Sequence, residues 1–255
     1  MIQETAIAYL PRPDTLKLAY RHRTGSAAKP TLVFLPGYMS DMDGGKAVAI
    51  DQWAAENGLG CLRFDYAGCG SSEGDFEDQT LISWRDDVLL LIDRLVEGPV
   101  IVIGSSMGGW LMLLVALSRP SRVTGLLGIA AAPDFTLWGF TQEQKLTILR
   151  EGKLVETSDY GPEPYITTRA FWQSGEAHRL LEAPIDIACA ARFIHGQADP
   201  DVPWQYSLET AKLLRSADVQ TVFVKDGDHR LSRPQDIALI LTMLAQLVDP
   251  SKAEG

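Results

Sequence analysis

Three side chains stand out for the chemistry they could do together: Ser106, Asp199 and His229. Ser106 is the central residue of Gly104-Ser105-Ser106-Met107-Gly108, which fits G-x-S-x-G. A β-branched run at 100–103 precedes the pentapeptide, and an apolar run at 110–117, stopped by Pro120, follows it. Strand, G-x-S-x-G and helix together are the setting of a nucleophile elbow, a strained turn that holds a serine hydroxyl over the end of a sheet. Glycines on either side let the helix pass close to the strand. The helix N-terminus then directs free N–H groups toward the place where negative charge gathers in acyl transfer. The spacing sets Ser106 at the apex and Ser105 on the strand side. By itself the pentapeptide is also compatible with an ordinary Gly-rich strand-to-helix loop.

A nucleophilic serine needs a base, and the base needs an acid to orient it. Asp199 follows the apolar run at 191–195 by a few residues, within reach of a histidine; position favours it over its rival Asp201, which could instead cap the helix that begins near Trp204. His229 lies in Gly227-Asp228-His229-Arg230, a loop C-terminal to both the serine and the acid. Asp226 and Asp228 flank it closely enough to tune it. The other histidines fit less well: His22 is on an N-terminal hairpin, His178 in a cap segment, and His195 at a strand end reads as a structural histidine. A second oxyanion donor, beside the N–H of Met107, is the N–H of Tyr38, in the Pro36-Gly37-Tyr38 turn after the run at 31–35.

The elements that must position these residues alternate. Strands are expected at 31–35, 61–65, 100–103, 123–130, 191–195 and 219–224, and helices at 46–57, 81–97, 110–117, 204–215 and 234–247. Residues 4–10 and 16–22 read as an antiparallel hairpin at a sheet edge, and 250–255 as a frayed tail. From 133 to 184 the alternation breaks. That stretch carries Phe135, Trp138, Phe140, Tyr160, Tyr165, Phe171 and Trp172 with Gly-Pro and Glu-Pro breaks at 161–164, and it reads as an inserted cap of short helices. The whole implies one α/β domain over 1–255, a mostly parallel, doubly wound sheet whose ligand site lies beyond the carboxyl ends of the strands.

Composition sets the outer bounds. Apolar residues make up 46% and charged residues 22% of the 255, which allows a sizeable core, and the net charge of −10 with no basic stripe argues against nucleic acid and anionic membrane as partners. No run is long enough to span a membrane. Three cysteines, Cys61, Cys69 and Cys189, show no C-x-x-C spacing, so reduced thiols in a cytoplasm are expected. The loop 65–72 holds Cys69 among glycines but lacks the G-K-[ST] of a phosphate cradle, and nothing supplies Cys69 with a base; it reads as structural. Neither a metal nor a cofactor is called for by any spacing.

The stretches FLPGYMSDMDGGKA (34–47), RFDYAGCGSSEG (63–74), GSSMGGWLML (104–113), HGQADPDVPW (195–204) and DHR (228–230) resemble the α/β-hydrolase superfamily. More narrowly they look like its animal mitochondrial branch of acyl-protein thioesterases and acyl-glucuronide esterases, over about residues 16 to 247. The resemblance implies Ser106 as nucleophile, Asp199 as acid and His229 as base. No mitochondrial presequence is read at the N-terminus, so a bacterial, cytoplasmic relative is expected; the 133–184 cap matches loosely and carries the substrate class over weakly. The expected activity is hydrolysis of carboxylic esters or thioesters through an acyl-enzyme, on a small-molecule or acylated substrate, by a monomer or homodimer. A peptidase or amidase on the same residues is the first alternative, and a ligand-binding protein of the same fold without turnover the second. Dehalogenase and epoxide hydrolase chemistry would need an acid where Ser106 stands.

Overall fold

The structure is a computed structural model that describes residues 4–26, 28–158 and 164–249. Its first elements form an antiparallel edge. β1 (Ala8–Pro11) pairs with β2 (Lys17–Arg23), which pairs antiparallel with the strand at Cys61–Phe64; Pro11 is tolerated because β1 is the outermost strand. β3 (Thr31–Leu35), α1 (Gly45–Glu56), β4 (Cys61–Phe64), α2 (Leu81–Leu95), β5 (Val100–Ser105), α3 (Met107–Ser118) and β6 (Val123–Ile129) then alternate. The segment after β6 holds α4 (Phe135–Trp138), α5 (Gln142–Glu151), β7 (Lys153–Glu156), β8 (Tyr165–Thr168) and α6 (Arg169–Glu176). β9 (Ala190–Gly196), α7 (Gln205–Leu213), β10 (Val219–Val224) and α8 (Pro234–Val248) complete the alternation.

The main sheet has eight strands in the order β1-β2-β4-β3-β5-β6-β9-β10, parallel from β4 onward. β5 shows why it is buried on both faces. Val100 and Val102 join the core beneath α2 and α3, whereas Ile101 and Ile103 join the core beneath α1 and α8. Side chains alternate across a strand, so a continuous β-branched run feeds two cores at once. Each such side chain, fully buried, stabilises the fold by about 1.5–3 kcal/mol.

Two expectations are corrected. α3 starts at Met107, directly after Ser106, rather than at Trp110. Gly108 and Gly109 look like loop residues, yet both are helical because the helix is pressed onto its neighbours. A Cβ on Gly108 would lie 2.2 Å from the Leu35 carbonyl oxygen, and one on Gly109 would lie 2.4 Å from the Ala131 Cβ. The second correction concerns 133–184, which holds helices but also the antiparallel pair β7–β8, with Lys153 opposite Thr168 and Glu156 opposite Tyr165. The short alternation at 153–156, exposed on one side, is a strand signal too brief to stand out. Tyr160, the Gly161-Pro162 break, Glu163 and the 250–255 tail lie outside the described residues.

Candidate active site

Ser106 sits between β5 and α3 with φ 55° and ψ −121°, a backbone conformation that a residue with a Cβ rarely adopts. Neighbours over-determine it. The Ser106 N–H donates to the Ile129 carbonyl at 2.9 Å, and its own carbonyl accepts from Gly109 and Ala132 at 2.8 and 3.0 Å. A Cβ on Gly104 would lie 2.2 Å from the Gly108 carbonyl oxygen, so helix and strand can cross here only over glycine.

His229 follows β10, and its Nε2 lies 3.1 Å from Ser106 Oγ. Its Nδ1 lies 2.8 Å from Asp199 Oδ2. Asp199 follows β9, and its other oxygen, Oδ1, accepts the backbone N–H groups of Asp201 and Val202 at 2.8 and 2.9 Å. Burial raises the Asp199 pKa, but the hydrogen bonds from His195 and His229, the His229 charge and the Val202 N–H outweigh it and hold the carboxyl well below the usual carboxylate range. Three side chains up to 123 residues apart thus form one hydrogen-bonded line.

The loops that carry acid and base are locked to each other. Gln197 donates its N–H to Val224 at 2.8 Å, and Ala198 donates to Gly227 at 3.0 Å. Lys46 Nζ donates to the Arg230 carbonyl at 2.5 Å, which anchors the His229 loop to α1. The flanking carboxylates face elsewhere: Asp226 pairs with Arg233 at 2.8 Å, and Asp228 accepts the Leu231 N–H at 2.9 Å. His178 Nδ1 bonds the Ser174 carbonyl oxygen, and His22 stands in β2; neither joins the line.

On the opposite wall, Gly37 approaches the serine, where a Cβ would lie 3.3 Å from Ser106 Cβ and 3.9 Å from its hydroxyl. Tyr38 comes next in that turn. Tyr66 steadies the turn through an O–H bond to the Pro36 carbonyl at 3.1 Å, and Asp65 steadies the loop beyond it by accepting the Met42 N–H at 2.7 Å. Asp65 Oδ2 also accepts the Ser71 N–H at 2.8 Å, so the same carboxylate steadies loop 65–72. Met107, on the other side of Ser106, heads α3, where the first N–H groups have no carbonyl partner within the helix. Tyr38 and Met107 both line a cleft of about 760 Å³ that contains Ser106 and His229 and is walled by Phe135, Trp138, Phe140 and Tyr165.

Among the described residues, one trio brings metal-binding atoms within 4.8 Å of one another: Asp199, Asp201 and His229. It overlaps the hydrogen-bonded line, in which the Asp199 oxygens are already engaged by N–H groups. His195, read from the sequence as a structural histidine, stands beside Asp199. His195 Nε2 lies 3.2 Å from Asp199 Oδ2, and the signal available for it was its position four residues before Asp199 at the end of β9.

Residues 32–239 match the family model described as the alpha/beta hydrolase family. The human palmitoyl-protein thioesterase ABHD10, mitochondrial, is 41% identical over 251 residues, covering 97% of this chain and 81% of that protein. The structure of mouse alpha/beta hydrolase domain-containing protein 10 superposes with a TM-score of 0.89 at 38% identity, covering 96% of this chain and 99% of that one. A crystal structure from Agrobacterium vitis S4 superposes with a TM-score of 0.90 at 37% identity, with the same coverage.

Proposed function

The chain belongs to the alpha/beta hydrolase family, and we propose that it is a serine hydrolase that cleaves carboxylic esters or thioesters through an acyl-enzyme. The observation that carries this is the unbroken line from Asp199 through His229 to Ser106, at 2.8 and 3.1 Å. His229 takes the hydroxyl proton as Ser106 Oγ attacks the acyl carbonyl. Asp199 holds the imidazole with its proton on Nδ1 and offsets the charge that forms on it. The N–H groups of Met107 and Tyr38 receive the oxyanion, and losing one such donor typically slows turnover by about 10²–10³-fold. His229 then protonates the departing alcohol or thiol and activates the water that releases the acyl group.

Oxygen esters and thioesters develop the same charge, so Ser106, Asp199 and His229 serve either. The names of the relatives favour acylated protein thioesters as substrate, and the aromatic walls of the cleft give an acyl chain apolar surface to bury. Among the described residues no helix is long and apolar enough to cross a membrane. Three free thiols fit a reducing compartment, and we assign the protein to the cytoplasm. Fractionation that recovers it elsewhere would overturn that assignment.

The test is labelling by a fluorophosphonate together with hydrolysis of a p-nitrophenyl acyl ester and an S-acylated peptide. Wild-type protein takes the label and turns over both substrates, while Ser106→Ala does neither. A Ser106→Ala protein that still labels and still hydrolyses would sink the reading. Saturable acyl binding without product would leave a binding protein in its place.

A further inference from the structure

We propose that His195 is a positioning residue for this reaction, whose imidazole N–H fixes the Asp199 carboxylate and limits its pull on His229. The inference rests on the reading of Ser106, Asp199 and His229 given above.

His195 is fully buried at the end of β9. Its Nε2 lies 3.0 Å from the Val202 carbonyl oxygen and 3.2 Å from Asp199 Oδ2. A carbonyl only accepts, so the ring proton sits on Nε2 and is shared with the carboxylate. Nδ1 is then an acceptor, and the Ser207 hydroxyl, also fully buried, donates to it at 2.7 Å. With a single ring proton on Nε2, every polar atom in the chain from Ser207 through His195 to Asp199 has a partner.

The consequence falls on Asp199. Oδ1 takes two backbone N–H groups, and Oδ2 takes one imidazole N–H from each histidine. Four donors on two oxygens leave the carboxylate one orientation. The same four spread its charge, so less of it is concentrated on His229. An apolar side chain of similar volume could fill this buried position; what it could not supply is a donor aimed at the acid. Without that donor Asp199 is freer to rotate, and its charge bears harder on His229, which favours the imidazolium and raises the pH at which the base becomes available.

The experiment measures p-nitrophenyl ester hydrolysis from pH 5 to 9 for wild type, His195→Phe, His195→Gln and Ser207→Ala, with fluorophosphonate labelling alongside. His195→Phe removes the donor, His195→Gln keeps an N–H at similar reach, and Ser207→Ala removes the hydroxyl that partners Nδ1 and supports the ring from behind. The expected result for His195→Phe is a kcat lower by about 10–100-fold, a KM within about twofold, and an acid limb of kcat/KM moved up by about half a pH unit. His195→Gln returns the limb to the wild-type pH, and Ser207→Ala moves it in the Phe direction by less. A folded His195→Phe protein with an unmoved limb overturns the proposal. Should His195→Phe fail to fold, His195→Leu removes the same donor, and an unmoved limb in that variant overturns it equally. Failure of the underlying reading looks different: wild type itself would not label, or Ser106→Ala would be as active as wild type.

Discussion

Gly196 and Gly227 meet backbone to backbone: a Cβ on Gly196 would lie 2.1 Å from the Gly227 carbonyl oxygen. This contact joins the turn that carries Asp199 to the turn that carries His229. Gly196→Ala must push the two turns apart, and a displacement on the order of 1 Å in a catalytic group costs roughly 10²-fold in rate. The expected outcome is a folded protein with kcat lowered by about that factor and a melting temperature lowered by several degrees. Wild-type turnover in Gly196→Ala would show that the spacing of these loops does not matter.

The two candidate acids separate cleanly. Asp199→Asn should lower kcat by roughly 10³–10⁴-fold, because an amide no longer holds the imidazole in the required tautomer. Asp201→Asn should change it by a few-fold at most, since Asp201 serves Asp199 through its backbone N–H. Equal losses in the two variants would contradict the assignment.

The same residue carries a pH dependence. The folded-state pKa of Asp199 is held down, so the folded protein binds its proton less readily than the unfolded chain. Its contribution to stability is fully present above about pH 4 and is lost as pH falls through the depressed folded value. Urea melts should show the gap between wild type and Asp199→Asn narrowing as pH falls below about pH 4. A gap that widens on acidification would give the opposite sign and refute the argument.

Tyr38 ties two parts of the cleft together, because its hydroxyl donates to the Ile166 carbonyl on β8 at 2.6 Å. Its ring packs against Phe76, Trp84, Phe135 and Phe171. Tyr38→Phe keeps that packing and the backbone N–H but leaves a carbonyl without its donor, at a cost of about 1–3 kcal/mol. Stability should fall by that much while kcat changes only a few-fold. A large kcat loss with unchanged stability would assign the hydroxyl to chemistry instead.

Thiol chemistry should be silent. Burial, with the Asp65 and Asp87 charges adding to it, pushes the Cys69 thiol up to about 12. Burial likewise raises Cys61 and Cys189. At pH 7.5 about one Cys69 in 10⁴ or fewer is thiolate, so iodoacetamide should leave hydrolysis intact in the native protein. Stoichiometric alkylation of Cys69 with loss of turnover would revive it as a nucleophile.

The sheet was legible in the sequence because β5 opens on a β-branched run and β3 is a short apolar one, both fully buried and set between glycine or proline breaks. The candidate nucleophile was legible because glycine spacing reports backbone crowding. That signal also misled, since Gly108 and Gly109 are needed inside α3 and not before it. The β7–β8 pair was not legible, because four alternating residues exposed on one side look like any surface turn. The contact of His195 with Asp199 had a local signal, four residues of spacing, but its contact with Ser207, twelve residues away on α7, had none, because no local pattern announces a contact made by the fold.

The order of strands has one more consequence. Ser106 rises from the centre of the sheet, but the acid and base proposed for it both hang from β9 and β10, and β10 is an outermost strand with a single neighbour. Fraying of that margin would disarm the hydroxyl while β1 to β6 and most of the apolar interior stayed assembled. In a denaturant titration, turnover should therefore vanish ahead of the bulk spectroscopic transition, making hydrolysis a gauge of how tightly the last strand is zipped.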